Sequence, residues 1–196
     1  IFCCFNHNFK ILPDMFEIWM RILKKVKNSV IWLLIDNETA KNNLREILVS
    51  NDIDPNRMIF AGRLPHSEHI IRLGLADLFL DTFPYGAHTT CGDALWSGLP
   101  VLTLKGNTFA SRVSSSLLKA INLDELITNS VGEYKSLAIY LAKNPHKLNA
   151  LKKRLKIEKE KSLLFDNKNY TKNLETAYKI IYKRNNELKP VDDIII

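Results

Sequence analysis

The sequence predicts an α/β fold: a doubly wound, mostly parallel sheet with helices on its faces and further helices at the C-terminal end. Three observations predict it. Five short apolar runs are bounded by Asn, Asp, Gly or Pro and lack polar alternation, as strands buried on both faces do. A segment with helical hydrophobic spacing follows each run. The chain of 196 residues, 46% hydrophobic and 25% charged, has the size and composition of one globular domain with its own core. Strand and helix in strict turn fit parallel strands joined by right-handed crossovers.

The elements follow in order. IFCCFN (1–6) is the first strand, and PDMFEIWMRILKKV (13–26) the first helix. Pro13 suits the opening helical position, while Phe16, Trp19, Ile22, Leu23 and Val26 share one face. VIWLLI (30–35) and ETAKNNLREILVSN (38–51) form the second pair, and RMIFAG (57–62) with SEHIIRLGLA (67–76) the third. DLFLDT (77–82) leads to CGDALWSG (91–98), a helix ending at Gly98, and PVLTLK (100–105) leads to TFASRVSSSLLKAI (108–121). After residue 130 the pattern offers no more strands. It offers two or three amphipathic helices in VGEYKSLAIYLAK, PHKLNALKKRLKIEKEK and YTKNLETAYKIIYKRN. The expected organisation is a lobe over 1–142, basic amphipathic helices over 143–186 packing on it, and a tail over 187–196.

Composition excludes several classes. No uncharged apolar run reaches the ~18 residues of a membrane span. The opening IFCCFNHNFK has no basic stretch ahead of an apolar one, so it is not read as a signal peptide. It reads as a strand entered in mid-protein, and a longer parent is expected. Three cysteines, Cys3, Cys4 and Cys91, make no disulfide framework, which points to a reducing, cytoplasmic compartment. The net charge of +7 is uneven: residues 1–142 balance 14 basic against 14 acidic side chains, while 143–190 hold 14 against 5. These cations alternate with apolar positions at helical spacing and lack interleaved aromatics. They read as the solvated faces of helices, and neither nucleic acid nor membrane is expected as a partner.

In open parallel sheets, ligands bind at the carboxyl ends of the strands. Four loops lie there: NHNFK, RLPHSEH, FPYGAHTT and GNTFASR. The polar oddities of the sequence fall in them. HTTCGD (88–93) admits two readings. Thr90 as N-cap with Asp93 three residues on is a capping box. Alternatively, free helix N-terminal amides with His88, Thr89 and Thr90 cradle a diphosphate, and Asp93 accepts from a ribose hydroxyl. Lys10 is either a solvated loop lysine or the cation that neutralises a phosphate leaving group. His66, His69 and Arg72 recur at i, i+3 and i+6, which fits an exposed polar face or a surface against a base or ribose. Two histidines without an accompanying carboxylate or thiolate cluster do not make a metal site. Cys91 has no base partner, and no GxSxG, GxGxxG or GxxxxGK[ST] motif occurs.

LADLFLDTFPYGAHTTCGDALWSGLPVLTLKGNTFASRVSSSLL resembles the C-terminal catalytic region of the protein O-GlcNAc transferase family, nucleotide-sugar transferases of the GT-B architecture. The likeness extends through FNHNFKILPDMFEIWMRILKKVKNSVIWLL, NRMIFAGRLPHSEHI and LFDNKNYTKNLETAY, nearly the whole chain. It implies a Rossmann-like lobe that holds UDP, and a parent with a second such lobe and tetratricopeptide repeats that bind protein acceptors. By position, it implies that Lys10 steadies the β-phosphate and that His88, Thr89 and Thr90 form the diphosphate loop. Asp93 then meets the ribose, His69 and Arg72 lie beside the uridine, and the Leu64 backbone faces the uracil. His7 stands where a Gln often contacts the phosphates, and His66 where a Lys approaches the ribose. The family inverts at the anomeric carbon without a metal, so no cofactor is expected beyond the UDP-GlcNAc donor. Two other functions fit the sequence: transfer of glucose or another hexose, to Asn for instance, and a non-catalytic interaction module.

Overall fold

The computed structural model describes residues 1–196. Six parallel strands form the sheet in the order β3-β2-β1-β4-β5-β6. They are β1 (Phe2–Cys4), β2 (Ile31–Leu34), β3 (Met58–Ala61), β4 (Leu78–Leu80), β5 (Val101–Leu104) and β6 (Ile127–Thr128). The chain winds outward from β1 to β3, returns to β4, and winds outward the other way. The switch point is therefore the β1/β4 boundary, where Cys3 stands beside Phe79. Each of the five expected runs supplies a strand. The sixth, two residues long, is too short to leave a pattern, and its register (Thr103 beside Ile127) is set by β5.

Helices α1 (Pro13–Lys25), α2 (Glu38–Ser50), α3 (His66–Leu73), α4 (Thr89–Ser97) and α5 (Val113–Ala120) connect the strands. Pro13 occupies the first turn of α1, and α4 ends on Gly98 at φ 87°, a left-handed position that suits glycine. The C-terminal end of α1 is closed from a distance. Arg57 donates to the carbonyls of Leu23, Val26 and Ser29 at 2.8–2.9 Å, supplying donors that the helix end lacks.

Three helices follow β6: α6 (Val131–Lys143), α7 (Pro145–Lys161) and α8 (Asn167–Asn186). One cluster of 41 buried apolar residues runs through the molecule and includes Leu148, Leu151 and Leu155 of α7. The basic face of α7 is only partly solvated. Lys152 bonds Ala76 O and Asp77, Arg154 pairs with Glu125, and Lys159 donates to Trp96 O. By contrast, α8 buries no residue. Leu155→Ala is expected to cost about 2–5 kcal/mol, the range for emptying a closed leucine site. Tyr178→Ala on α8 should stay within about 0.5 kcal/mol. Urea unfolding of the two variants checks the contrast. No helix is long and apolar enough to cross a membrane.

Candidate functional site

The site builds up from a buried carboxylate that the sequence reading did not single out. Asp81 follows β4 directly at the switch point and is fully buried. Its Oδ1 accepts from the backbone N–H of Thr82 (2.8 Å) and Ala87 (2.7 Å) and from Asn6 Nδ2 (3.1 Å). Its Oδ2 accepts from Thr103 Oγ1 at 2.8 Å. Burial pushes this carboxyl up, and the hydrogen bonds that it accepts pull it back toward the charged form. Asn6, buried at the end of β1, also donates to Thr82 Oγ1 at 2.7 Å. The ends of β1 and β4 and strand β5 thus hold the 81–87 turn from beneath, and a Trp19–Tyr134 relay reaches the Asp81 carbonyl.

Above this floor the turn meets Lys10. The ammonium donates to Gly86 O at 3.0 Å and sits 3.8 Å from the centre of the Tyr85 ring. Burial pulls the Lys10 pKa down, and the Asp81 charge counters it. Lys10 is therefore an anchored cation and not a solvated loop lysine. Tyr85 packs 5.3 Å from His88, which stands edge-on to the exposed Phe109. The exposed His7 stacks on Phe9 at 5.2 Å, and Phe9 approaches Tyr85 at 6.4 Å.

The expected capping box is absent. Helix α4 begins at Thr89, two residues before the sequence pattern placed it, so His88 holds the N-cap position and makes no side-chain cap. Thr90 lies inside the first turn, and Asp93 turns away from the helix end. Asp93 Oδ1 lies 3.2 Å from His66 Nε2 across the gap to α3. The backbone N–H groups of His88, Thr89 and Thr90 have no acceptor within the chain. Helices α2, α6 and α8 differ: Asn37, Ser130 and Asp166 cap them. The local Thr/Ser box that does form is Thr108 with Ser111, in the loop after β5.

A cleft of about 590 Å³ runs between α3, α4 and α5, with His66, His88, Thr89 and Asp93 on its wall beside Trp96 and Phe165. Four predicted site residues thus share one cavity, and Lys10 joins them through the Tyr85–Gly86 turn. His69 and Arg72 contribute differently from expectation. Arg72 is 7% exposed, so its guanidinium offers no free face. It donates to Gly62 O and to His69 Nδ1, each at 2.7 Å, and stacks over Phe5 at 4.8 Å. Arg72 therefore reaches the site only by holding His69. Burial, with the Arg72 charge, pulls the His69 pKa down, which favours the neutral ring whose Nδ1 accepts from Arg72. Leu64 is half-exposed in the loop before α3, and its backbone makes no hydrogen bond within the chain.

Nucleophilic chemistry finds no support in the thiols. Cys3, Cys4 and Cys91 are fully buried, and burial pushes all three up, which suppresses the thiolate. No three His, Cys, Asp or Glu side chains gather as metal ligands.

Comparison with known proteins bears on this arrangement. The model of glycosyl transferase family 41 matches residues 1–174. A probable UDP-N-acetylglucosamine–peptide N-acetylglucosaminyltransferase SEC from Arabidopsis thaliana is 40% identical over 179 residues, covering 91% of this chain. A UDP-N-acetylglucosamine–peptide N-acetylglucosaminyltransferase from Caenorhabditis elegans is 34% identical over 99% of the chain. The chain spans 18% and 17% of the length of these two relatives. Among solved structures, the K341M mutant of Thermobaculum terrenum O-GlcNAc transferase superposes with a TM-score of 0.84 at 29% identity. It covers 92% of this chain and 35% of its own.

Proposed function

The chain belongs to glycosyl transferase family 41, and from that membership we propose that it is the donor-binding lobe of a UDP-GlcNAc-dependent protein O-glycosyltransferase. The observation that carries the reading is the uncapped start of α4. Its free amides stand at the switch point of a doubly wound sheet, with the anchored Lys10 ammonium beside them. Free N-terminal amides and the positive end of a helix dipole suit an anion. A charged lysine supplies what a leaving diphosphate needs.

In this reading the amides and hydroxyls of Thr89 and Thr90, with His88, hold the diphosphate. Asp93 accepts from ribose hydroxyls, and His66 faces the same group. The Leu64 backbone reads the base edge, His69 lies beside the uridine with Arg72 behind it, and His7 approaches the phosphates. An acceptor Ser or Thr oxygen attacks the anomeric carbon as the bond to the β-phosphate oxygen breaks, inverting the centre. The electron pair passes to the diphosphate, whose added charge Lys10 stabilises. No metal is assigned a role. The hydroxyl proton leaves toward groups outside this lobe, so donor binding is the property expected of this chain. The free, buried thiols fit a reducing, cytoplasmic setting.

Calorimetric titration of the chain with UDP and with uridine tests the proposal. UDP should bind more tightly than uridine, and Asp93→Ala should weaken both by about tenfold, the loss of one charged hydrogen bond. Equal affinity for UDP and uridine, or affinities that Asp93→Ala leaves untouched, would sink it.

A further inference from the structure

We propose that Asp81 is a positioning residue that, with Lys10 on the opposite side, orients the Gly86–Ala87 peptide and so aims the first amides of α4 at their anion. This deepens the diphosphate reading and rests on it.

The geometry concerns one peptide unit held at both ends by opposite charges. Its carbonyl, Gly86 O, receives the Lys10 ammonium at 3.0 Å. Its amide, Ala87 N–H, donates to the Asp81 carboxylate at 2.7 Å. A peptide is planar, so fixing both ends fixes the rotation of the whole plane. Neutral contacts hold the units on either side: Gly86 N–H donates to Ala110 O at 3.1 Å, and Ser114 Oγ donates to Ala87 O at 2.7 Å. The chain then enters α4 through His88 at φ −112°, ψ −96°, without a side-chain cap. A local cap would consume the very donors that an anion needs. Support from below leaves those donors free and still fixes their direction.

Gly86 fits the same account. A Cβ there would stand 3.1 Å from Asp81 Oδ2 and 3.4 Å from Ala110 O, so a side chain would crowd the carboxylate that holds the peptide. Asp81 is wholly buried and its carboxylate is spent on Asn6, Thr82, Ala87 and Thr103, which makes it a positioning residue. Its charge has a second use. Lys10 is faced by the Asp81 carboxylate from the end of β4, by Cys4 from β1 and by the Tyr85 ring from the turn. Burial draws the Lys10 pKa down and the Asp81 charge props it up. Removing that charge while keeping the shape should release the Lys10 proton at lower pH.

Asp81→Asn is the test. Its amide oxygen still accepts from Thr82 and Ala87, and its NH2 can donate to the Thr103 hydroxyl. UDP affinity of the full chain, measured by calorimetry across the neutral and alkaline range, should fall about tenfold at neutral pH. The alkaline loss of affinity should also begin at lower pH than in the wild type. Gly86→Ala, with both charges present, should weaken UDP several-fold without moving that alkaline limb. Hydrogen exchange of the Ala87 amide, measured without nucleotide, should be slow in the wild type and at least tenfold faster in Asp81→Ala. An unprotected Ala87 amide in the wild type overturns the proposal. So does an Asp81→Asn chain whose affinity and alkaline limb match the wild type. A protected Ala87 amide that Asp81→Ala releases, in a wild-type chain that binds no UDP, upholds the clamp and overturns the nucleotide reading.

Discussion

Lys10→Met is expected to weaken UDP binding by about 10- to 100-fold at neutral pH, the equivalent of one charge-assisted hydrogen bond to a phosphate. Methionine keeps an unbranched apolar stem against the Tyr85 ring, so the loss reports the charge and not the packing. Calorimetry with UDP and with uridine separates the two readings of the residue. A lysine that only stabilises the lobe would weaken both ligands alike, whereas one that serves the diphosphate, directly or through the Gly86–Ala87 peptide, spares uridine. The pH dependence has a definite sign. Burial lowers the Lys10 pKa, so the wild-type affinity for UDP should be full at neutral pH and fall as pH rises through that lowered value. Lys10→Met should bind weakly at every pH, with that limb flattened. Uridine affinity falling in parallel with UDP would remove Lys10 from the diphosphate.

Trp19→Ala should be the most destabilising single substitution considered, at about 3–5 kcal/mol. The side chain is completely buried under the sheet, edge-on to Phe16 at 6.3 Å, so truncation leaves a large cavity in the central cluster. The loss also has a polar part. Trp19 Nε1 lies 3.3 Å from the Tyr134 hydroxyl, which in turn donates to Asp81 O at 3.0 Å. The indole therefore ties α1 to α6 and to the floor of the site. Trp19→Phe keeps most of the volume but removes the N–H, and should cost about 1–3 kcal/mol. Denaturant unfolding followed by circular dichroism measures both. A Trp19→Ala chain within 1 kcal/mol of the wild type would contradict the packing described here.

The fold was legible because its signals are local. Strands buried on both faces must be short and uniformly apolar, and the crossover helices carry one apolar face each, so alternation of the two patterns spells a doubly wound sheet. The carboxyl-end rule then pointed to the loops that hold Lys10, His66, His88 and Thr89, with Asp93 in the helix that follows. The errors lie where neighbours in sequence are not neighbours in space. Thr90 and Asp93 have the spacing of a capping box, but α4 starts earlier and Asp93 turns to His66, 27 residues away. Arg72 has the spacing of a surface face, but Gly62 O, Phe5 and His69 draw it inward.

The charge bias of the C-terminal third divides in the same way. Helical spacing sufficed to assign it to amphipathic helices. Which lysines stay in water depended on what α7 packs against: Lys152 and Lys159 end on the carbonyls of Ala76 and Trp96. The DLFLDT run (77–82) offered one missed signal, an acid just after an otherwise apolar strand. A charge placed there is costly unless donors converge on it.

Amino-acid order alone thus revealed five of the six strands and the helices that alternate with them, the sheet edge proposed for the ligand, and a motif string specific enough to name a family. Tertiary structure alone decided what each polar group does at that edge. Asp81 gathers Asn6, Thr82, Ala87 and Thr103, the farthest of them 75 residues from it in sequence. Lys10 meets Gly86 across 76 residues. Periodicity reports which face of an element is buried, but a hydrogen bond needs its partner within about 3 Å, and only the folded chain brings these partners that close.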